Sequence, residues 1–439
     1  MGLCCQHGRV RSSDGARSSD ARPPEVAIAR PWLRSFVHLA AGESATSFLR
    51  TIGLLWIARS LGPPAFGTLS VGFVVGRYVI TLSHPGLALA GKRSVASDPA
   101  STPMLLRQIV SFRALLSTIM LAASVLVAVV LPIGRDLRIV SVVFCWLMVT
   151  QSLDIRWSFI GLQRAGVVAV VSMLGGVAYL TGALLLVDRP DDIVVAAIIY
   201  VGCEAFTSGL LIAASTKQHG IWWRNPLTTS RRPLWREAQP FTLTYLSRTL
   251  MATIDVVIVK ALRHGDEAGN YAAASRIFVI ALLFINHFTD ALLPSFVQAA
   301  ATGTEAITAI TRSAIRRVLT FTPPAALVGI AIAPHVVPRV LGREYQPAVG
   351  LLQLLIVAIV FAALNGVIAV NLIATGRERI LARLTPLGLA ANVALNVALV
   401  PVIGATGAAV ATILTELVML AIGLAAVTEK HRKRRVRRF

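Results

Sequence analysis

Four arginines, Arg50, Arg77, Arg248 and Arg276, stand inside long apolar stretches of this 439-residue chain. A guanidinium is always charged and offers a planar fork of donors, which suits phosphate or carboxylate oxygens. Its structural alternative is to satisfy a nearby carboxylate or to extend its head group to an interface. Glu43, Asp255, Glu204 and Glu416 lie in the same stretches, as do Asp154 and Asp290. Such carboxylates can take up a coupling proton or cation, gate a path, or make helix–helix contacts. Glu43 and Arg50 are seven residues apart, and so, in reversed order, are Arg248 and Asp255. Each pair shares a helix face yet is too far apart for direct contact, which needs a spacing of three or four. The expectation is that these two helices line one cavity and that the pairs cross-link them in one transport state. No phosphate-cradling loop with lysine, HExxH zinc pattern or nucleophile elbow accompanies these residues. The reading is therefore not an enzyme, with no cofactor and no ATP site.

The elements that must position these charges are membrane helices. Hydrophobic residues make up 55% of the chain and charged residues 14%, against roughly 25% charged in a soluble protein. Apolar blocks such as Leu115 to Leu131 hold no charge, and blocks of about 20 residues match the hydrocarbon thickness. Spans are expected near 35–59, 67–91, 108–131, 138–160, 166–187, 192–214, 240–262, 271–298, 318–340, 349–374, 380–402 and 405–427. Pro85, Pro294 and Pro323–Pro324 are expected to kink or end their helices. Arg50, Arg77 and Arg248 then fall near mid-depth in spans one, two and seven, and Arg276 nearer one end of span eight. The fold class is an all-α integral membrane protein of about twelve transmembrane helices, in two six-helix halves around a central cavity.

The formal charge of +21 reads as topogenic, with no nucleic acid implied. Basic residues crowd alternate loops: Lys92 and Arg93, Arg231–Arg232, Arg316–Arg317, Arg377 and Arg379, and the tail from Lys430. The intervening loops carry only Arg135, Arg189, Arg263 and Arg343, which places both termini in the cytoplasm. Residues 1–34 form a basic, disordered cytoplasmic tail, with no signal peptide or acylation motif. The first half spans 35–214, a cytoplasmic linker 215–239, the second half 240–427, and a basic tail 428–439. Cys4, Cys5, Cys145 and Cys203 lack metal spacing.

The halves repeat one another. Leu61-Gly62-Pro63-Pro64-Ala65-Phe66-Gly67 after the first span parallels Arg263-His264-Gly265-Asp266-Glu267-Ala268-Gly269 after the seventh. Ala196-Ala197 precedes Glu204 by the spacing at which Ala408-Ala409 precedes Glu416. Transporters built from such repeats hold a substrate cavity between the halves and expose it to each side in turn.

The run Ala58-Arg59-Ser60-Leu61-Gly62-Pro63-Pro64-Ala65-Phe66-Gly67 resembles the first-loop signature of polysaccharide flippases of the multidrug/oligosaccharidyl-lipid/polysaccharide exporter superfamily. Gly269-Asn270-Tyr271-Ala272, Gly342-Arg343-Glu344-Tyr345, and Asn392 and Asn396 followed by Pro401, Gly404 and Gly407-Ala408-Ala409 extend the likeness over about residues 35–427. The resemblance implies translocation of polyprenyl-pyrophosphate-linked oligosaccharide across the plasma (inner) membrane for surface polysaccharide biosynthesis. Arg50, Arg77, Arg248 and Arg276 would then meet the pyrophosphate. Asn365, Asn371, Asn392 and Asn396 would meet sugar hydroxyls or bond between helices. Lys92 and Arg93 would meet anionic lipid or incoming substrate at the inner headgroups. Membrane lipids and a polysaccharide polymerase or glycosyltransferases are the partners implied. Peptidoglycan-precursor flippases of this superfamily usually carry two further spans, which sets the lipid II reading lower. The rivals are a cation-coupled antiporter of drugs or small metabolites and a membrane-embedded glycosyltransferase or polymerase.

Overall fold

The computed structural model describes residues 31–83, 86–220, 223, 246–247, 249–263 and 266–436, and it is helical throughout with no strand among them. Residues 1–30, most of the expected linker, Pro85 and Arg248 lie outside the described residues. Ten helices among the described residues are long and apolar enough to cross a membrane, and the protein is a multi-pass integral membrane protein.

The first helical run, α1, covers Pro31–Ser83 and is two helices meeting at Gly62, whose φ of 72° and ψ of 170° are non-helical. Its membrane-compatible part, Gly42–Leu82, is 41 residues long. At about 1.5 Å per residue that is about twice the hydrocarbon thickness, so the break converts one run into the two expected spans. Pro63 and Pro64 follow the break, where their missing N–H groups fall in the first turn of the second arm. Span seven is described in part, as α9 below, so the count agrees with about twelve.

After α1 come α2 (Leu87–Ser97) and α3 (Thr102–Val130). Span four is broken in three: α4 (Arg135–Cys145), α5 (Leu147–Ser152) and α6 (Arg156–Gly161). A broken helix in a bilayer frees carbonyls that other protein groups must meet. Ser117 Oγ donates to the Met148 carbonyl (3.0 Å), Ser208 Oγ to Thr150 (3.1 Å) and Arg113 Nη1 to Asp154 (3.1 Å). Next are α7 (Ala165–Leu186), α8 (Ile193–His219) and α9 (Ile254–Leu262). The chain ends in α10 (Glu267–Thr302), α11 (Thr304–Val340), α12 (Ala348–Ala374), α13 (Glu378–Ile403) and α14 (Ala405–Val436).

Of the two outcomes expected of these prolines, a kink or an end, the end does not occur. Pro294 lies within α10, and Pro323 and Pro324 within α11, with the helices running on past them. A proline removes one donor and frees one carbonyl, whereas ending a helix in hydrocarbon strands several groups at once. The two helices have 36 and 37 residues, each about 54 Å or more, and so run well beyond the hydrocarbon.

Helices α1–α8 pack among themselves, as do α9–α14, and the main contacts between the two groups pass through α1. They meet at the Gly62 end, and again where Thr253 Oγ1 donates to Tyr78 Oη (3.1 Å). A Cβ on Gly67 would lie 2.7 Å from the Gly269 nitrogen, and one on Gly269 would collide with the Pro63 carbonyl. The glycines of the two repeated turns therefore touch. Tyr345 Oη donates to the Ala58 carbonyl (2.7 Å), Arg59 Nη1 to that of Arg339 (3.2 Å), and the Phe66 and Tyr345 rings stand edge to face. Burial pushes the Tyr345 hydroxyl well above the ordinary phenol range, so it stays a donor.

Gly269→Ala is expected to lower the melting temperature in detergent, by the equivalent of about 1–3 kcal/mol of overpacking. Gly350, within α12 and with open space around it, is the control, since Gly350→Ala should be neutral or stabilising by up to about 1 kcal/mol. Equal melting of the two variants would refute the close approach.

Candidate functional site

Where the second arm of α1, α8 and α10 approach one another, a cavity of about 200 Å³ is lined by Arg50, Arg276, Phe73, Phe144, Tyr179 and Tyr200 among others. Phe73, Phe144, Tyr179 and Tyr200 stack edge to face at 5.1–6.0 Å, the favoured geometry for rings with a negative face and a positive rim. Among the residues that line the cavity, the charged ones are Arg50 and Arg276.

Arg50 pairs through Nη1 with Glu204 Oε1, and its guanidinium carbon lies 5.9 Å from the Tyr200 ring centroid. Glu204, on α8, is almost wholly buried, and its other oxygen accepts from Gln151 Nε2 (3.0 Å) and Arg156 Nη2 (3.2 Å). Arg156 in turn meets Asp154 at 3.5 Å, and buried Arg113 donates to the Asp154 carbonyl. Charges of alternating sign thus run from α3 through the broken span to α8 and α1, each compensated where water is absent.

Arg276 lies with its guanidinium carbon 4.9 Å from the Phe73 ring centroid, a cation–π contact. Arg77, half-buried on the second arm of α1, is near enough for its charge to act on Arg276 and Tyr200. Neither arginine has a side-chain hydrogen bond or carboxylate partner among the described residues. Three of the four expected arginines are therefore brought together, and Arg248 lies outside the described residues.

Glu43 and Arg50 make no cross-link in this state, and Arg248, the partner of Asp255 in the second pair, lies outside the described residues. Glu43 is exposed, and Arg50 turns to Glu204, because a carboxylate carried on another helix can reach it while one seven residues away on its own helix cannot. Asp255 is buried and, among the described residues, accepts from neutral donors: Tyr271 Oη at 2.8 Å, Asn396 Nδ2 at 3.0 Å and Thr412 Oγ1 at 3.2 Å. Its cluster joins α9, α10, α13 and α14, away from the cavity lining. Glu416, matching Glu204 in the repeat, accepts from Asn365 Nδ2 at 2.7 Å. Glu204 and Glu416 thus hold matching places in the sequence repeat, and among the described residues only Glu204 has arginine partners.

The four asparagines bond within the helix bundle. Asn371 donates to Thr311 (2.8 Å), Asn396 also reaches Asn392 (3.3 Å), and Asn365 is held by Glu416. Lys92 and Arg93 are exposed on α2, and the side chain of Asp290 lies outside the described residues. Gln151, Arg156, Arg113 and Tyr200 escaped sequence reasoning. Arg113 and Arg156 fall near the ends of expected spans, where a basic residue ordinarily reaches headgroups, and no residue pattern announces the break in span four.

Residues 32–300 match the model of a family described as polysaccharide biosynthesis protein. No curated protein sequence matches the chain. Among solved structures, the fold is similar to that of the lipid II flippase MurJ in an inward closed conformation. The TM-score is 0.71 at 10% identity, over 89% of this chain and 87% of that one. A multidrug resistance MATE family transporter of the MOP superfamily, inward-facing, scores 0.69 at 16% identity over 91% and 99% of the two chains. An outward-facing structure of such a transporter scores 0.62 at 14% identity, over 91% and 95%. The fold is that of these transporters.

Asp255→Leu is expected to destabilise the protein by about 1–3 kcal/mol, because it strands three donors that the carboxylate now accepts from. Asp255→Asn, which keeps an acceptor, should cost less. Thermal melting in detergent orders the two, and the reverse order would refute the bonding described.

Proposed function

The chain belongs to the polysaccharide biosynthesis protein family, and from that membership we propose that it carries polyprenyl-pyrophosphate-linked oligosaccharide across the plasma membrane by alternating access, for surface polysaccharide synthesis. The observation that carries the reading to a site is the pair of guanidiniums, Arg77 and Arg276, without carboxylate partners beside an aromatic-walled cavity. A pyrophosphate diester has two negative charges, and two unpaired arginines match them with forked donors. Arg50 is the third member, and Arg248 is assigned with them from its place in the sequence. A cavity of about 200 Å³ takes the charged linkage and not a whole glycan, so loading requires the two helix groups to part. The substrate leaves chemically unchanged.

With both termini cytoplasmic, the Gly62 end faces outward, and its closure by backbone supports an inward-facing reading. The better agreement with inward-facing than with outward-facing transporters supports that assignment. Asp255 and Glu416, each met by neutral donors within the second group of helices, are the proposed sites of a coupling proton or cation; Glu43 is assigned to gating. Polymerase or glycosyltransferases supplying and consuming the glycan are the proposed partners. The rival reading, an antiporter of cationic drugs, draws on the same fold but sets a cationic ligand against unpaired arginines.

Deletion of the gene is expected to leave lipid-linked glycan accumulating on the cytoplasmic face. Arg77→Ala and Arg276→Ala should each fail to clear it, with transport reduced ~10-fold or more. Fractionated lipid extracts and surface glycan staining measure both. Unchanged precursor and surface glycan in the deletion strain would sink the proposal and turn attention to drug or ion efflux.

A further inference from the structure

Arg50 and Glu204 differ from an ordinary buried ion pair in how each is supported. Glu204 has 4% of its side chain exposed and Arg50 has 24%, so the carboxylate stands behind and the guanidinium on the cavity side. Removing one partner from a buried pair normally leaves an uncompensated charge, and that penalty locks the pair together. Here the penalty is lifted for the acid. If Arg50 swings away, Glu204 keeps Arg156 Nη2 at 3.2 Å and Gln151 Nε2 at 3.0 Å. Arg50, for its part, has an Nε that is buried without a hydrogen-bond partner among the described residues. The Tyr200 ring, 5.9 Å from its guanidinium carbon, offers a π face on which it can turn. The repeat supplies an internal control: Glu416 holds the matching place in the sequence repeat with Asn365 as its side-chain donor and, among the described residues, no arginine. An acid at this position does not by itself require a cation.

We infer that Glu204 is a resident counter-anion, which occupies Arg50 in the unloaded cavity and yields it to a phosphate group of the incoming substrate. The inference rests on the transport reading above and deepens it. The exchange is a swap of salt-bridge partners, with no bond made or broken. In the empty carrier Arg50 is neutralised, leaving Arg77 and Arg276 to attract the anion. On loading, the phosphate gains a third guanidinium while Glu204 stays compensated. On release, Glu204 retakes Arg50, which offsets part of the cost of parting the substrate from three cations. Glu204 is thus a positioning residue that limits affinity so that cargo can leave, and Arg156 and Gln151 are what make it able to let go.

The test is calorimetric titration of the full-length protein in detergent with farnesyl diphosphate, using farnesol as the uncharged control. Wild-type protein should bind the diphosphate in preference to the alcohol; no such preference would defeat the transport reading itself, and this inference with it. Given that preference, E204Q should bind ~10-fold more tightly, the size of a half-buried charge pair that no longer competes. The gain should vanish in the R50Q background, where E204Q/R50Q should match R50Q. An E204Q protein that melts like wild type but binds equally or more weakly overturns the inference, since a purely structural pair predicts that result. Should E204Q not fold, R156Q decides. With one of its supports gone, Glu204 holds Arg50 harder and affinity should fall several-fold, whereas unchanged affinity in folded R156Q overturns the proposal.

Discussion

A carboxylate held in a slab with the thickness of a bilayer has no water to turn to, and the interior of the first helix group is arranged around that constraint at Glu204. Three donors from three places converge on it: Arg50 from α1, Gln151 from α5 and Arg156 from the start of α6. Two of these come from the broken fourth span. Around the break, Ser117, Ser208 and Arg113 add side-chain donors to the carbonyls of Met148, Thr150 and Asp154. The break also places Arg156 where an unbroken helix would have carried it elsewhere. The charged wall of the cavity, the discontinuity of span four and the orientation of Arg50 are therefore parts of one arrangement.

The second helix group treats its acids differently. Asp255 and Glu416 are met by tyrosine, threonine and asparagine, neutral donors that leave the carboxylate's charge uncancelled. The cavity wall draws Arg50 from the first group and Arg276 from the second, while Asp255 and Glu416 lie within the second. At the Gly62 end the frame is closed by backbone: Gly67 and Gly269 meet where any side chain would hold the groups apart. Tyr345 reaches across to Ala58 to complete the seam.

Much of this was legible in the residues. Apolar blocks of membrane length have few alternatives, because helices satisfy their own backbone, and the similar turns around Gly67 and Gly269 marked the repeat. Mid-span arginines likewise stood out, since charge at depth is costly enough to be rare. Pro294, Pro323 and Pro324 left a kink or an end open, and the helices run on past them. The rule that proline ends helices was learned in water, where exposed backbone can be solvated, and it gives way where ending a helix costs more than losing a bond.

By itself the sequence determined the helical membrane class, the approximate number of spans, the repeat and the short roster of charged groups within it. These follow from composition and local spacing, which the bilayer converts directly into structure. Which charge meets which was decided only by tertiary structure. Glu43 and Arg50 share a face of one helix, yet Arg50 chose Glu204, 154 residues away. Asp255 went to Asn396, 141 residues away. Partnership at depth depends on which helices are neighbours and how each is rotated. Helical periodicity fixes the relative directions of side chains along one helix and leaves that helix's neighbours and rotation to packing.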